Sequence, residues 1–113
     1  MIAVLFEVYQ KEEYRSEYLE IATQLKKKLE TIEGFISIER FASLQDDSKI
    51  LSLSFWQNEE SIEQWRNLME HREGQSKGRD HIFSDYRIRV AGVIRDYGMN
   101  RVEEARLTKN EHF

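Results

Sequence analysis

Apolar and polar positions recur with two different periods along the chain. Ile2–Tyr9 is nearly all apolar and rich in β-branched and aromatic residues, which predicts a strand covered on both faces. From Tyr14 the period changes to three and four residues, which predicts an amphipathic helix of about five turns that Gly34 ends. Its apolar stripe consists of Tyr14, Tyr18, Ile21, Ala22, Leu25, Leu29 and Ile32.

A hairpin is predicted next. Residues 35–44 and 49–56 alternate as strands and are separated by the polar turn 45–48. In the first strand the alternation places Ile36 and Ile38 on one face and Phe35, Glu39 and Phe41 on the other. In the second strand it places Leu51, Leu53 and Phe55 on one face and Ile50, Ser52, Ser54 and Trp56 on the other.

The rest of the chain predicts a second helix and a last strand. Asn58 is a good N-cap, and the inward stripe that follows is Ile62, Trp65, Leu68 and Met69. Residues 70–80 are polar and contain two glycines, so we expect a frayed or broken helical segment there. Residues 83–97 alternate as a strand, with Gly92 at a bulge or a close packing contact.

The resulting order βαββαβ is the ferredoxin-like α+β unit with a four-stranded antiparallel sheet. Two helices cover only one face of such a sheet, yet both registers of the hairpin carry large apolar side chains. A second copy of the chain is the natural cover, so we expect a homodimer with sheet packed on sheet. We assign residues 1–97 to this domain and residues 98–113 to a charged tail.

Composition narrows the class of protein. The chain has 113 residues, is 40% hydrophobic and 34% charged, and carries a net charge of −4, which fits one globular domain and argues against a nucleic-acid partner. Because there is no cysteine, disulfides, thiolate nucleophiles and cysteine metal sites are excluded. No apolar run approaches the roughly 20 residues that cross a membrane, and no signal peptide is recognisable, so we expect a cytoplasmic protein without a membrane partner. Histidines and carboxylates show no metal-site spacing.

Candidate chemistry is concentrated between Leu51 and Arg72. Trp65 is either core or the wall of a pocket, and Trp56 is either packing or a pocket or dimer contact. His71 lies about 120° round an ideal helix from Trp65. It can therefore reach a pocket and act as a general base only if the helix bends; otherwise it is a solvent-facing or hydrogen-bonded structural histidine.

Three further types of side chain are candidates. Arg72 is either a surface charge or an oxyanion partner. Phe6, Phe83 and Tyr86 are core candidates that could also line a substrate slot.

The span from Ile2 to Tyr97 resembles the antibiotic biosynthesis monooxygenase family. The resemblance is carried by IAVLFEV, EGFISIERF, LSLSFWQNEESIEQWRNLMEHR and DYRIRVAGVIRDY. It implies a small dimer whose sheets form an α+β barrel, with a pocket between sheet and helices in each subunit.

The activities that the resemblance implies are cofactor-independent oxygenation of polycyclic phenols and anthrones, quinol oxidation and haem degradation. In the first, a deprotonated, electron-rich substrate reacts with dioxygen and no cofactor is needed. The tryptophan of the family's second helix aligns with Trp65, and the proton-handling position aligns with His71. The family pattern also has an asparagine one turn before this tryptophan, and in this chain that position is Ser61.

Haem degradation is the least favoured of these activities. The axial histidine of the haem-degrading members aligns with Gln75, and their first-strand asparagine falls at Phe6 and Glu7. We therefore expect a monooxygenase that oxidises a small aromatic or quinol-like molecule with dioxygen. The alternative is a non-catalytic dimeric module that binds an apolar metabolite or a protein partner.

Overall fold

The computed structural model describes residues 1–75 and 83–99, with side-chain surroundings for residues 1–67 and 85–99. Seven elements follow one another within these residues. They are strand β1 (Ile2–Gln10), a 3-10 turn (Glu12–Tyr14), helix α1 (Arg15–Leu29), strands β2 (Phe35–Ala42) and β3 (Lys49–Trp56), helix α2 (Glu59–Gln75) and strand β4 (Phe83–Gly92). This order confirms the βαββαβ prediction.

The four strands form one antiparallel sheet in the order β2-β3-β1-β4. The two strands with the most continuous apolar patterns, β1 and β3, lie in the centre, and β2 and β4 form the edges. The predicted ferredoxin-like α+β fold is therefore confirmed.

The core lies between the sheet and the helices. The largest buried cluster combines residues of β1, β3 and both helices: Val4, Leu25, Leu29, Trp56, Ile62 and Trp65. A second cluster contains Val8, Tyr18 and Ile50. Along β3 the buried residues are the alternating set Ile50, Ser52, Ser54 and Trp56. We call the opposite side the open face; there Leu51, Leu53 and Phe55 are only partly buried.

An irregularity in β2 changes which of its side chains face the helices. Its pairing with β3 shifts between Phe35 and Ser37, so Ile36 is an extra residue in β2. Phe35 packs on the core, whereas Ile36 is 49% exposed. The prediction that Ile36 and Ile38 share one face of the strand is therefore wrong for Ile36, because a bulge interrupts the two-residue period.

Three further boundaries differ from the sequence predictions. Helix α1 ends at Leu29, and a turn separates it from Gly34. Helix α2 continues to Gln75, so its residues 70–75 are not broken. Strand β4 ends at Gly92 rather than at residue 97, and a Cβ at Gly92 would meet no atom within 4 Å. Close packing does not explain that glycine.

Several predictions concern residues outside the described part of the chain. They are the remainder of the polar segment (76–80) and the charged tail from residue 100 onwards. No helix among the described residues is long and apolar enough to cross a bilayer.

Candidate functional site

A cavity of about 50 Å³ lies between α1 and the sheet. Its walls are largely apolar and come from both helices and from three strands. Helix α1 provides Tyr18, Ile21, Ala22 and Leu25, helix α2 provides Trp65, and the sheet provides Val4, Phe6, Ile38, Arg40, Ser52 and Ser54. The polar groups in this lining belong to Tyr18, Arg40 and the two serines, together with the indole N–H of Trp65.

Arg40 and Tyr18 form the charged end of the cavity. Arg40 lies on β2 directly opposite Ser52, which turns its side chain towards the helices. Its guanidinium hydrogen bonds to the phenol of Tyr18. Burial raises the pKa of Tyr18, and the positive charge of Arg40 and this hydrogen bond lower it less strongly. Tyr18 therefore remains a neutral phenol at neutral pH and can donate its own proton.

The Nε atom of Arg40 is buried and has no hydrogen-bond partner. Burying a donor without an acceptor is unfavourable, and the lining contains no aspartate or glutamate that could supply one. Within the described lining, the positive charge of Arg40 thus meets no carboxylate, and its Nε–H group has no acceptor.

Ser54 and Trp56 connect the cavity to the core. The indole Nε1–H of Trp56 donates a 2.9 Å hydrogen bond to Ser54 Oγ. Trp56 is fully buried, with its ring centroid 6.3 Å from that of Trp65 and 5.2 Å from that of Phe35. Trp56 therefore lies behind the cavity wall and supports Trp65.

The start of α2 fixes where Trp65 projects. Asn58 caps the helix, because its Oδ1 accepts hydrogen bonds from the backbone N–H of Ser61 at 3.0 Å and from Ser61 Oγ at 2.9 Å. This confirms the predicted cap. Trp65 follows about one turn after Ser61 and is 9% exposed. Its side chain packs against the core on one side and lines the cavity on the other.

The sequence-derived site residues occupy different places. Trp65 and Phe6 line the cavity. Tyr86 is 56% exposed on β4 and makes an edge-on contact with Phe6 at 5.8 Å between ring centroids. His71 and Arg72 lie in the last turns of α2 and Phe83 begins β4, and their side chains are outside the described part. Their proposed roles stay predictions.

The family can now be assigned. The sequence profile of a family described as "Antibiotic biosynthesis monooxygenase" matches residues 1–77. The chain belongs to this family. The match includes β1, α1, β2, β3 and α2 in full, and therefore every residue that lines the cavity.

Two relatives extend the assignment. The jasmonate monooxygenase ABM of Pyricularia oryzae is 41% identical over 91% of this chain and 48% of its own length. A protein of Bacillus subtilis described as uncharacterised is 32% identical over 55% of this chain and 53% of its own length. The chain thus matches about half the length of each of these relatives.

Solved structures show the same fold at low sequence identity. A crystal structure described as an antibiotic biosynthesis monooxygenase from Deinococcus radiodurans superposes with a TM-score of 0.74 at 11% identity, covering 88% of this chain and 98% of the other. A haem degrader from Mycobacterium tuberculosis, with two haems in its active site, gives 0.66 at 12% identity, covering 87% and 100%. At these identities the likeness shows that the fold is shared.

Among the described residues, the lining of the cavity offers one side chain of a type that holds haem iron. Haem iron is held by histidine, cysteine, methionine or tyrosine, and Tyr18 is the one such residue in the lining. Its phenol is engaged by Arg40, and its raised pKa opposes the phenolate that iron would need. Among the described residues, no three histidine, cysteine, aspartate or glutamate side chains form a group that could hold a metal.

Sequence reasoning missed most of the polar lining. Tyr18 was assigned to the core stripe of α1, and Ser52 and Ser54 were recognised only as neighbours of Trp56 on one strand face. Arg40 was not singled out at all. A signal was present, because a charged residue two positions after Ile38, in a strand with apolar neighbours, is unusual on a covered face.

Proposed function

We propose that the chain is a monooxygenase domain that uses dioxygen to oxidise a small, largely apolar molecule with an acidic oxygen group, without a flavin or a metal. Aromatic and quinol-like molecules are the favoured class. The observation that carries the proposal is the cavity itself, in which apolar walls enclose the Arg40–Tyr18 pair. The name of the Pyricularia oryzae relative adds support, because jasmonate also carries an acidic oxygen group on an apolar body.

The proposed reaction takes its electrons from the substrate. For an anthrone-like molecule, a proton leaves an activated CH₂ group and the resulting anion reduces dioxygen. A C–O bond forms, and the intermediate loses water to leave a carbonyl group. One oxygen atom of dioxygen stays in the product and the other leaves in water, with the two substrate hydrogens, so no external reductant is needed.

Each residue contributes a simple physical effect in this scheme. Trp65 and Phe6 hold the flat apolar body, and Arg40 stabilises the negative charge of the anion. His71 would accept the proton, because its ordinary pKa lies close to neutral pH. Arg72 would assist the oxyanion, while Phe83 and Tyr86 would extend the slot at its rim and Trp56 would support it from behind.

Oxygen consumption tests the proposal. A panel of anthrones and hydroquinones is incubated with the wild type and with Arg40→Met, His71→Ala and Arg66→Met. Arg66 is an exposed arginine on α2 and serves as the matched control. We expect turnover in the wild type and the control, and a loss of about a hundredfold in kcat/KM for Arg40→Met, as for removal of one oxyanion donor. Equal rates for the wild type and Arg40→Met would contradict the role of Arg40; equal rates for His71→Ala would do the same for His71.

A binding module without catalysis is the second candidate. It is favoured by one observation: none of the lining residues is a histidine, aspartate or glutamate, so the described lining contains no good proton acceptor at neutral pH. Ligand binding without oxygen consumption by any panel member would support this alternative.

We also propose a homodimer formed through the open face. Leu51, Leu53 and Phe55 are only partly buried there, together with Leu5 of β1. Covering these side chains with a second sheet would remove apolar surface from water, which is the main driving force for such an interface.

A further inference from the structure

We propose that the N-terminal half of α1, residues 15–22, is a lid that opens the cavity, and that the buried amide of Gln10 favours its opening. The lid pivots about the other end of the helix, at Leu29. This inference rests on the proposed function in one respect, because it takes the cavity as the place that receives the ligand.

The volume of the cavity argues for an opening step. The cavity measures about 50 Å³, whereas a cavity of about 150 Å³ in a protein core takes up benzene, and ligand pockets usually measure about 300–1,000 Å³. An aromatic molecule larger than benzene therefore enters only if a wall moves. The three lining strands are hydrogen bonded to one another in one sheet, so α1, which supplies four lining residues, is the wall that can move most easily.

The two ends of α1 are anchored unequally. Leu29, its last residue, is fully buried in the largest core cluster, and the turn that follows is tied to the end of β3 through the carbonyl oxygen of Gly34. At the other end Arg15 is exposed, and Tyr18 belongs to the smaller cluster. An exposed hydrogen bond of 2.7 Å from Arg15 Nη2 to the carbonyl oxygen of Asp47 connects this end to the hairpin. Movement of α1 therefore begins at its N-terminal end, and the bond from Arg15 is the latch.

Gln10 destabilises the closed lid. It ends β1 directly before the 3-10 turn that leads into α1, and it is 2% exposed. Neither Nε2 nor Oε1 of its amide has a hydrogen-bond partner among the described residues. A buried amide without partners is unfavourable, whereas water satisfies both atoms once the turn and the lid move away. The backbone N–H of Gln10 donates to the carbonyl oxygen of Ser48 at 2.9 Å, so β1 itself stays in the sheet.

The test measures how often the cavity wall becomes accessible to a thiol reagent. The chain has no cysteine, so Ala22→Cys places a single thiol on the face of α1 that lines the cavity. Its reaction with the aromatic disulfide DTNB, a reagent larger than benzene, is followed at several low urea concentrations. We expect a rate that hardly changes with urea, because opening the lid exposes little surface. A rate that rises with urea as steeply as global unfolding would show that no lid opens.

Two further substitutions in the Ala22→Cys protein should shift the opening in opposite directions. Gln10→Leu replaces the unpaired amide by an apolar side chain, and it should slow the labelling at least about fivefold. Arg15→Met removes the latch and should accelerate the labelling about twofold to tenfold. Gln24→Leu and Arg66→Met make the same changes at exposed helix positions and serve as matched controls.

Each variant has an outcome that contradicts the inference. Labelling of the Gln10→Leu protein as fast as that of its control would remove the amide from the device, and an unchanged rate for Arg15→Met would do so for the latch. Simple fraying of the helix end does not depend on Gln10, so a slower rate in Gln10→Leu, with urea dependence unchanged, distinguishes a lid from fraying.

Hydrogen exchange of the wild type gives a second measurement, which holds if Ala22→Cys does not fold. The first four amides of a helix lack intrahelical partners, so residues 19–22 are compared with residues 26–29. We expect the first group to exchange through an opening smaller than global unfolding, and the second to exchange close to the global rate. Equal protection of the two groups would overturn the lid.

The outcomes separate this inference from the proposed function, because none of these measurements needs turnover. If oxygen is consumed while labelling follows global unfolding, the lid is wrong and the proposed function stands. If labelling and exchange behave as expected while no panel member consumes oxygen, the lid stands and the proposed function fails.

Discussion

At the scale of single residues, the Ser54 hydroxyl belongs to the core and to the cavity at once. It accepts the hydrogen bond of the Trp56 indole at 2.9 Å, and it also lines the cavity. Trp56 is wholly buried, so its N–H has no access to water as a substitute. The orientation of Trp56, and through it the support of Trp65, depends on this one acceptor.

Replacing Ser54 with alanine should therefore destabilise the fold. The substitution leaves a buried indole N–H without an acceptor, which costs about 1–3 kcal/mol of unfolding free energy. Urea denaturation followed by tryptophan fluorescence measures the loss. Ser52→Ala, at a buried serine two positions earlier on the same strand face, is the matched control and should lose less. Equal losses in the two variants would contradict the importance of the indole hydrogen bond.

At the scale of elements, the turn around Gly34 joins α1, the sheet and α2. Gly34 has a φ of +94°, a conformation that other residues rarely adopt. Its carbonyl oxygen accepts a 2.8 Å hydrogen bond from the backbone N–H of Gln57, which ties the beginning of β2 to the end of β3. A Cβ at this position would collide with the side chain of Ser61 in the first turn of α2. This close approach sets the position of the helix that carries Trp65.

Gly34→Ala should be destabilising for both of these reasons. The backbone strain alone costs roughly 1–3 kcal/mol, and the displacement of Ser61 adds to it. Thermal unfolding measures the effect, and Gly92→Ala is the control because a Cβ there meets nothing within 4 Å. A Gly34→Ala variant as stable as Gly92→Ala would show that the turn can relax at little cost.

The elements were predictable from the sequence to a greater extent than the site. The periods of two and of three to four residues identified the four strands and the two α-helices of the described residues, and Asn58 marked the start of α2. The polar end of the cavity was not found, because it depends on a contact between α1 and β2 that no local pattern encodes. Tyr18 looked like any stripe residue, and Arg40 became significant only when its neighbours across the sheet were known.

At the scale of the whole molecule, the open face combines apolar side chains with a network of charges. Glu7 lies on the central strand β1, 3.4 Å from Lys49 Nζ on β3 and 3.0 Å from Arg89 Nη1 on β4. Leu53 on β3 and Leu5 on β1 pair directly beside this network. Apolar contacts would provide most of the free energy of association, and the charges would restrict how a second sheet can be oriented.

Leu53→Lys should dissociate the proposed homodimer. The lysine would place an additional charge in the middle of the apolar contact, and we expect the dissociation constant to rise at least about a hundredfold. Sedimentation velocity over a range of concentrations measures it. The control is Leu19→Lys, because Leu19 is 49% exposed on α1, away from the open face. A wild type that sediments as a monomer, or a Leu53→Lys variant that remains a dimer, would rule out this interface.

The extra residue in β2 decides the sign of the charge that the cavity presents. With Ile36 accommodated outside the regular pairing, Arg40 stands opposite Ser52 on the helix side and Glu39 stands opposite Leu53 on the open face. Regular pairing from Phe35 onwards would exchange the two, because a shift of one residue moves every side chain to the other face. The cavity would then contain a carboxylate in place of a guanidinium. A single backbone irregularity on an edge strand thus sets the sign of the charge in the cavity, and a change in strand length would reverse that sign without altering any residue of the cavity wall on α1, β1 or β3.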